Sequence, residues 1–207
     1  MKKSETGNSR GNTTSSRIIE EAVRLFSEKG YHGTSIDDIT EATGITKGAF
    51  YWHFKSKEEL LRKFLEEWET RFLDGLIQAV EGVKGGFLSK LKKVNQYTGA
   101  FGLYNRALSV SFTTLSAELV GGGHRIEKEF RRAYTKYQNF LIELINDGKK
   151  EKVLKKELDS NHTSLILMAF HSGLLLQWSM SRDHIDGKAF LATYRAILTD
   201  GILVHNT

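Results

Sequence analysis

No proline occurs anywhere in the 207 residues of this chain, and that absence narrows the fold more than any single motif. Proline is the residue that breaks helix interiors, so glycine does the punctuating here. Apolar residues recur at the 3.6-residue spacing of amphipathic helices, and no run alternates at period two for long enough to make a strand. The pattern predicts an all-α fold. Helix one is expected over about Thr14–Lys29, with Ile18, Ala22, Leu25 and Phe26 on one stripe and Gly30 in the usual place of a left-handed cap. Ser35 and Asp38 form an S-x-x-D start signal for a second helix through about Ala42. Gly44 breaks it, and Thr46 can cap a third helix. Ser56 and Glu59 launch a fourth, to about Val80, whose apolar stripe is Leu61, Leu65, Trp68, Phe72 and Leu76. Further helices are expected over about Gly86–Gly99, Gly102–Val120, Arg125–Lys149, Asn161–Arg182 and Asp186–His205, with Gly121–Gly123 as the most flexible internal link and candidate hinge.

This organisation predicts residues 1–13 as a flexible basic tail, 14–57 as a three-helix domain and 58–207 as a larger helical domain. Several function classes drop out. The chain has no cysteine, which excludes disulfides, thiolate zinc sites and a thiol nucleophile. The seven histidines do not cluster at metal-ligand spacing, and no catalytic or phosphate-loop motif is present, so neither an enzyme nor a bound cofactor or metal is expected. The polar N-terminus carries no secretory signal, and the longest apolar stretch, Leu165–Met180, is too short for a bilayer span and holds His171, Ser172 and Gln177. A cytoplasmic protein is expected. A net charge of +5 suits a polyanionic partner.

The segment Thr34–Lys57, TSIDDITEATGITKGAFYWHFKSK, reads as two short helices and a tight turn. In the second helix Phe50 and Phe54 lie four apart and face the core. The opposite side carries no acid. A helix-turn-helix lays its second helix in the DNA major groove. The groove-facing set would be Thr46, Lys47, Gly48, Ala49, Tyr51, Trp52 and His53. Lysine can reach guanine acceptors or phosphate, glycine permits close approach, and tyrosine and histidine can donate to phosphate. Lys57 adds a cation, and Thr34 and Ser35 offer hydroxyls at the start of the second helix.

Residues from about Arg17 to Leu61, above all GYHGTSIDDI and TGITKGAFYWHFKSK, closely resemble the N-terminal domain of the tetracycline-repressor (TetR) family. The resemblance implies an all-helical homodimeric repressor, a palindromic double-stranded DNA operator and an effector pocket in the C-terminal domain. Carried over position by position, it implies DNA contacts from Thr34, Ser35, Thr46, Lys47, Gly48, Tyr51, His53 and Lys57. Asp37 and Asp38 depart from the basic or hydroxyl residues often found at the start of helix two, which argues against a base contact there. A non-specific architectural DNA binder and a helical small-molecule-binding protein with a vestigial helix-turn-helix stay open as alternatives.

Beyond about Phe87 the resemblance is one of architecture, with AFHSGLLLQW similar to the family's penultimate helix. Aromatic supply suggests effector walls at Trp68, Phe72, Phe101, Tyr104, Phe112, Tyr137, Phe140 and Trp178, with His171 as a polar anchor in an otherwise apolar helix. Such a pocket would take a small hydrophobic or aromatic effector, such as an acyl chain, an aromatic or a lipophilic cation. The last two helices are expected to form the dimer face, through Leu174, Tyr194, Ile197 and Leu198.

Overall fold

The computed structural model describes residues 6–123, 125–181 and 184–202. Among these every regular element is helical: α1 Thr6–Lys29, α2 Ile36–Thr43, α3 Lys47–His53, α4 Lys57–Trp68, a π-helical turn Glu69–Asp74, α5 Gly75–Glu81, α6 Phe87–Tyr104, α7 Arg106–Leu119, α8 Glu127–Lys150, α9 Ser160–Ser181 and α10 Gly187–Ile202. They fall into two compact units. One holds the residues through Trp68 together with Val110–Phe130, the other Glu69–Ser109 and the residues from Arg131 onward. The boundary expected after Lys57 therefore falls at Trp68, and a later segment belongs with the N-terminal unit. Sequence pattern could not assign that segment, because the partners of an apolar stripe lie far away along the chain.

In the first unit, Ile18, Ala22, Val23, Leu25 and Phe26 are buried as the stripe demands. Gly30 follows with φ 72°, and its N–H returns to Phe26 O at 3.1 Å. The tail expected over 1–13 is helical from Thr6; residues 1–5 lie outside the described residues. Once the anchored turns exist, extending the ladder costs far less than starting one. Phe112, Leu115, Leu119, Ile126 and Phe130 complete this core. Phe112 stacks on Trp68 with ring centroids 3.5 Å apart, and Ser111 Oγ donates to Val23 O at 2.8 Å.

The second unit begins at the π turn. The Tyr97 hydroxyl donates to Arg71 O at 2.7 Å, and it presses so close to Gly75 that a side chain there would collide with it. Glycine at 75 thus makes room for the tyrosine where the helix widens. The break expected between Gly99 and Gly102 is absent: α6 runs unbroken to Tyr104. A Cβ on Gly99 would lie 2.8 Å from Leu191 Cδ1, so the glycine serves close packing of α6 on α10. Packing has overridden helix propensity there. Gly121 and Gly123 adopt φ 89° and 72°, the left-handed turn that glycine favours. No helix of the described residues is long and apolar enough to cross a membrane.

Candidate nucleic-acid interface and apolar cleft

The helix-turn-helix is built by local chemistry. Ser35 caps α2: its hydroxyl accepts from Asp38 N at 3.0 Å, and the Asp38 carboxylate accepts from Ser35 N at 2.8 Å. Lys29, 2.7 Å away, and Ser35 hold the Asp38 carboxyl well below the usual carboxylate range. Gly44 ends α2 at φ 66°. Thr46 caps α3, accepting from Ala49 N at 3.1 Å. Phe50 and Phe54 are buried as expected, their rings 5.8 Å apart. Arg17 braces the end of α2 by donating to Thr43 O at 3.0 Å.

The opposite side of α3 is open. Trp52 is 76% exposed and Tyr51 52%. Thr46, Lys47 and Gly48 are exposed, and Ala49 and His53 are half-buried. A Cβ on Gly48 would meet nothing nearer than Thr46 Oγ1 at 3.8 Å, so the fold itself has no need of glycine there. Lys47 pairs with Asp37 at 2.7 Å, and that hydrogen bond raises the ammonium pKa. Asp37 therefore sits beside the groove-facing set and partly offsets its charge.

The structure corrects two of the expected contacts. Thr34 is fully buried, and its hydroxyl donates to Gly30 O at 2.8 Å. Lys57 turns inward: Nζ donates to Tyr31 O and Thr34 O, both at 2.7 Å, and lies 4.1 Å from the Tyr31 ring centroid. Burial pushes its pKa down. Both residues shape the turn before α2, Thr34 through Gly30 O and Lys57 by bridging two carbonyl oxygens with charge-assisted hydrogen bonds. Ser35 stays exposed with its hydroxyl engaged in the capping box. Sequence reasoning missed Glu118, which fixes the same turn by accepting from Tyr31 N and His32 N, each at 2.8 Å.

In the second unit a cavity of about 70 Å³ opens between α6, α9 and α10. Of the expected walls only His171 and Trp178 line it. The others are placed differently. Trp68 and Phe112 stack within the first unit. Phe101 and Tyr137 both pack on Phe72, at 5.1 and 5.6 Å between centroids. Phe140 is half-buried on α8, and Tyr104 is 86% exposed. The walls are instead Asn95, Gly99, Gly102, Leu103, Leu174, Leu175, Phe190, Leu191, Tyr194 and Arg195, with Thr98 and Gly187. The dimer expectation shifts too. Tyr194 and Leu198 are buried within their own chain, and Leu174 lines the cleft, whereas Ile197 is 63% exposed. Asn95 had one legible signal, a polar residue on the buried stripe of Leu91 and Phe101.

Apart from Arg195, the polar side chains at the cleft are neutral. The Tyr137 hydroxyl and His171 Nδ1 lie 2.6 Å apart. Burial drives the His171 pKa down to about 4 and the Tyr137 phenol up, so an uncharged imidazole faces a protonated hydroxyl. Burial also pushes Tyr194 up to about 12. No group of three or more His, Asp or Glu side chains among the described residues is placed to hold a metal ion.

Comparison with known proteins agrees with this geometry. Residues 18–64 match the sequence profile described as "Bacterial regulatory proteins, tetR family". The HTH-type transcriptional regulator AcrR of Shigella flexneri is 26% identical over 193 residues, covering 92% of this chain and 90% of that one. The MbdR regulator from Azoarcus sp. CIB superposes with a TM-score of 0.83 at 27% identity, covering 92% of this chain and all of the other. FadR from Bacillus subtilis, solved in complex with stearoyl-CoA, shares the fold with a TM-score of 0.76 at 20% identity, over 92% of this chain and 99% of its own. The helix-turn-helix lies inside the matched segment and 92% of the chain aligns with such regulators, which together support a DNA-binding transcriptional regulator of the TetR family.

Proposed function

We propose that this protein is an effector-responsive repressor that holds a palindromic operator as a homodimer and releases it when a small, mainly apolar molecule enters the second unit. One observation carries the reading: a single chain pairs an open, acid-free recognition helix with an apolar cleft whose buried polar atoms lack partners. Thr46, Lys47, Gly48, Ala49, Tyr51, Trp52 and His53 supply the groove face. Lys47 positions on phosphate or reads guanine, while Tyr51 and His53 fix register on the backbone. Thr34, Ser35 and Lys57 act indirectly, by shaping the start of α2. Ile166, Phe170 and Ile197 form an exposed apolar face on α9 and α10, which a second copy would cover. His171 and Trp178 contribute to the effector site, and Arg195 in its wall disfavours the lipophilic cations that composition alone allowed. That a fold neighbour was solved with stearoyl-CoA fits an apolar effector. Effector and DNA then oppose one another reciprocally, by a coupling of about 1–3 kcal/mol.

Selection from a random duplex library tests this. The expected product is a palindrome whose half-site centres lie about one helical turn, roughly 34 Å, apart. Binding without sequence preference, governed by salt alone, would establish an architectural DNA binder instead. No DNA binding at all would leave a small-molecule-binding protein with a vestigial helix-turn-helix.

A further inference from the structure

Five buried side-chain polar atoms among the described residues lack a hydrogen-bond partner, and three of them belong to one cavity wall: Asn95 Oδ1, His171 Nε2 and Tyr194 Oη. Asn95 and Tyr194 are more than nine-tenths buried. Buried polar groups are ordinarily paired, because an unpaired one has given up water for nothing. Three converging on one apolar cleft therefore mark a place where a partner arrives from outside.

Their chemistry defines that partner. The Tyr137 hydroxyl keeps its proton and has His171 Nδ1 as its only acceptor among the described residues, so it donates there. His171 is then the tautomer with hydrogen on Nε2. These three atoms thus present one N–H donor, one amide-oxygen acceptor and one hydroxyl able to do either. None of the three is charged at neutral pH. An ionised head seated among them would find no counter-charge. Arg195 is the only charged residue of the lining, and its Nε donates to Leu191 O at 3.1 Å. An anion drawn to it would leave the three buried atoms unpaired. Size follows from the volume: about 70 Å³ has room for about five waters, the space of a single ring with a short substituent. Leu174, Leu175, Trp178 and Phe190 would surround that body.

We infer that the cleft between α6, α9 and α10 recognises an uncharged, oxygen-bearing apolar molecule of about single-ring size, its carbonyl or hydroxyl seated among Asn95, His171 and Tyr194. This rests on the effector reading above and specifies the head group. A carbonyl oxygen accepts from His171 Nε2–H or the Tyr194 hydroxyl. A ligand hydroxyl can in addition donate to Asn95 Oδ1.

Five probes of matched size separate the possibilities on the full chain: acetophenone, benzyl alcohol, benzoate, benzylammonium and ethylbenzene. The two neutral oxygen-bearing probes are expected to raise the melting temperature and to bind at least tenfold more tightly than the other three. Tyr194→Phe and Asn95→Leu should each raise the melting temperature of the free protein, since each removes a buried atom without a partner. Each should also weaken acetophenone or benzyl alcohol binding at least fivefold. The proposal is overturned if ethylbenzene matches acetophenone, if benzoate binds best and Arg195→Ala abolishes it, if none of the probes binds, or if both variants lower the melting temperature of the free protein. If the neutral probes bind as expected and leave operator affinity unchanged, the head-group assignment stands and the effector reading fails. If only charged ligands release the operator, unaffected by either variant, the effector reading stands and this inference fails.

Discussion

Replacing Gly48 by alanine should move stability and DNA affinity in opposite directions. Gly48 lies inside α3, exposed, and a Cβ there meets only Thr46 Oγ1 at 3.8 Å. No clash opposes the methyl in the free protein. Alanine at a helix interior is favoured over glycine by about 0.5–1 kcal/mol, which in a chain of this size raises Tm by about 1–4 °C. If α3 lies in the major groove with Gly48 against the duplex, the same methyl has nowhere to go. Overfilling a close-packed contact costs about 1–3 kcal/mol, so operator Kd should weaken about tenfold or more. Thermal unfolding gives the first number, and fluorescence anisotropy with a selected operator at fixed salt gives the second. Unchanged operator affinity in Gly48→Ala would refute the placement of this face in the groove. A fall in Tm would refute the reading that the fold itself has no need of glycine at 48.

Tyr51→Ala should weaken operator binding by about 1–3 kcal/mol with little change in Tm, because the ring is half exposed; gel shift and calorimetry together check this. Lys57→Met should lower stability by about 1–2 kcal/mol through two lost charge-assisted hydrogen bonds at a partly exposed site, and should weaken DNA binding at every salt concentration equally, since Lys57 releases no counterion. Ile197→Glu should convert the proposed dimer to monomer in sedimentation, whereas Leu198, buried in its own chain, would report folding instead. His171 titrates near pH 4 when folded and near 6.5 when unfolded, so the unfolded chain binds the extra proton first. Its contribution is complete above pH 6.5 and is lost as pH falls toward 4, by up to roughly 3 kcal/mol. Denaturant midpoints across that window should flatten in His171→Gln.

The sequence by itself determined the helical class, the caps and the two faces of α3. Ser35 with Asp38, Gly44, Thr46, and the contrast between buried Phe50 and Phe54 and open Tyr51 and Trp52 all depend on neighbours three or four residues away. Helical period fixes such neighbours before any tertiary contact forms. What the sequence could not supply was the identity of distant partners. Lys57 reads as a free cation until Tyr31 O, 26 positions away, captures it, and the α1–α2 turn reads as a loop until Glu118, 87 positions on, grips Tyr31 N. Trp68, Phe72, Phe101 and Phe112 could be offered as cavity walls although each alone reads more readily as core, because a stripe shows that a ring points inward and not whether another ring meets it there. Only the tertiary structure stacked those aromatics on one another, ran α6 through Gly99 to meet Leu191, and turned Tyr194 from the expected dimer face into the cleft beside Asn95 and His171. Each of these depends on which segments pack together, a non-local choice that the local period leaves open.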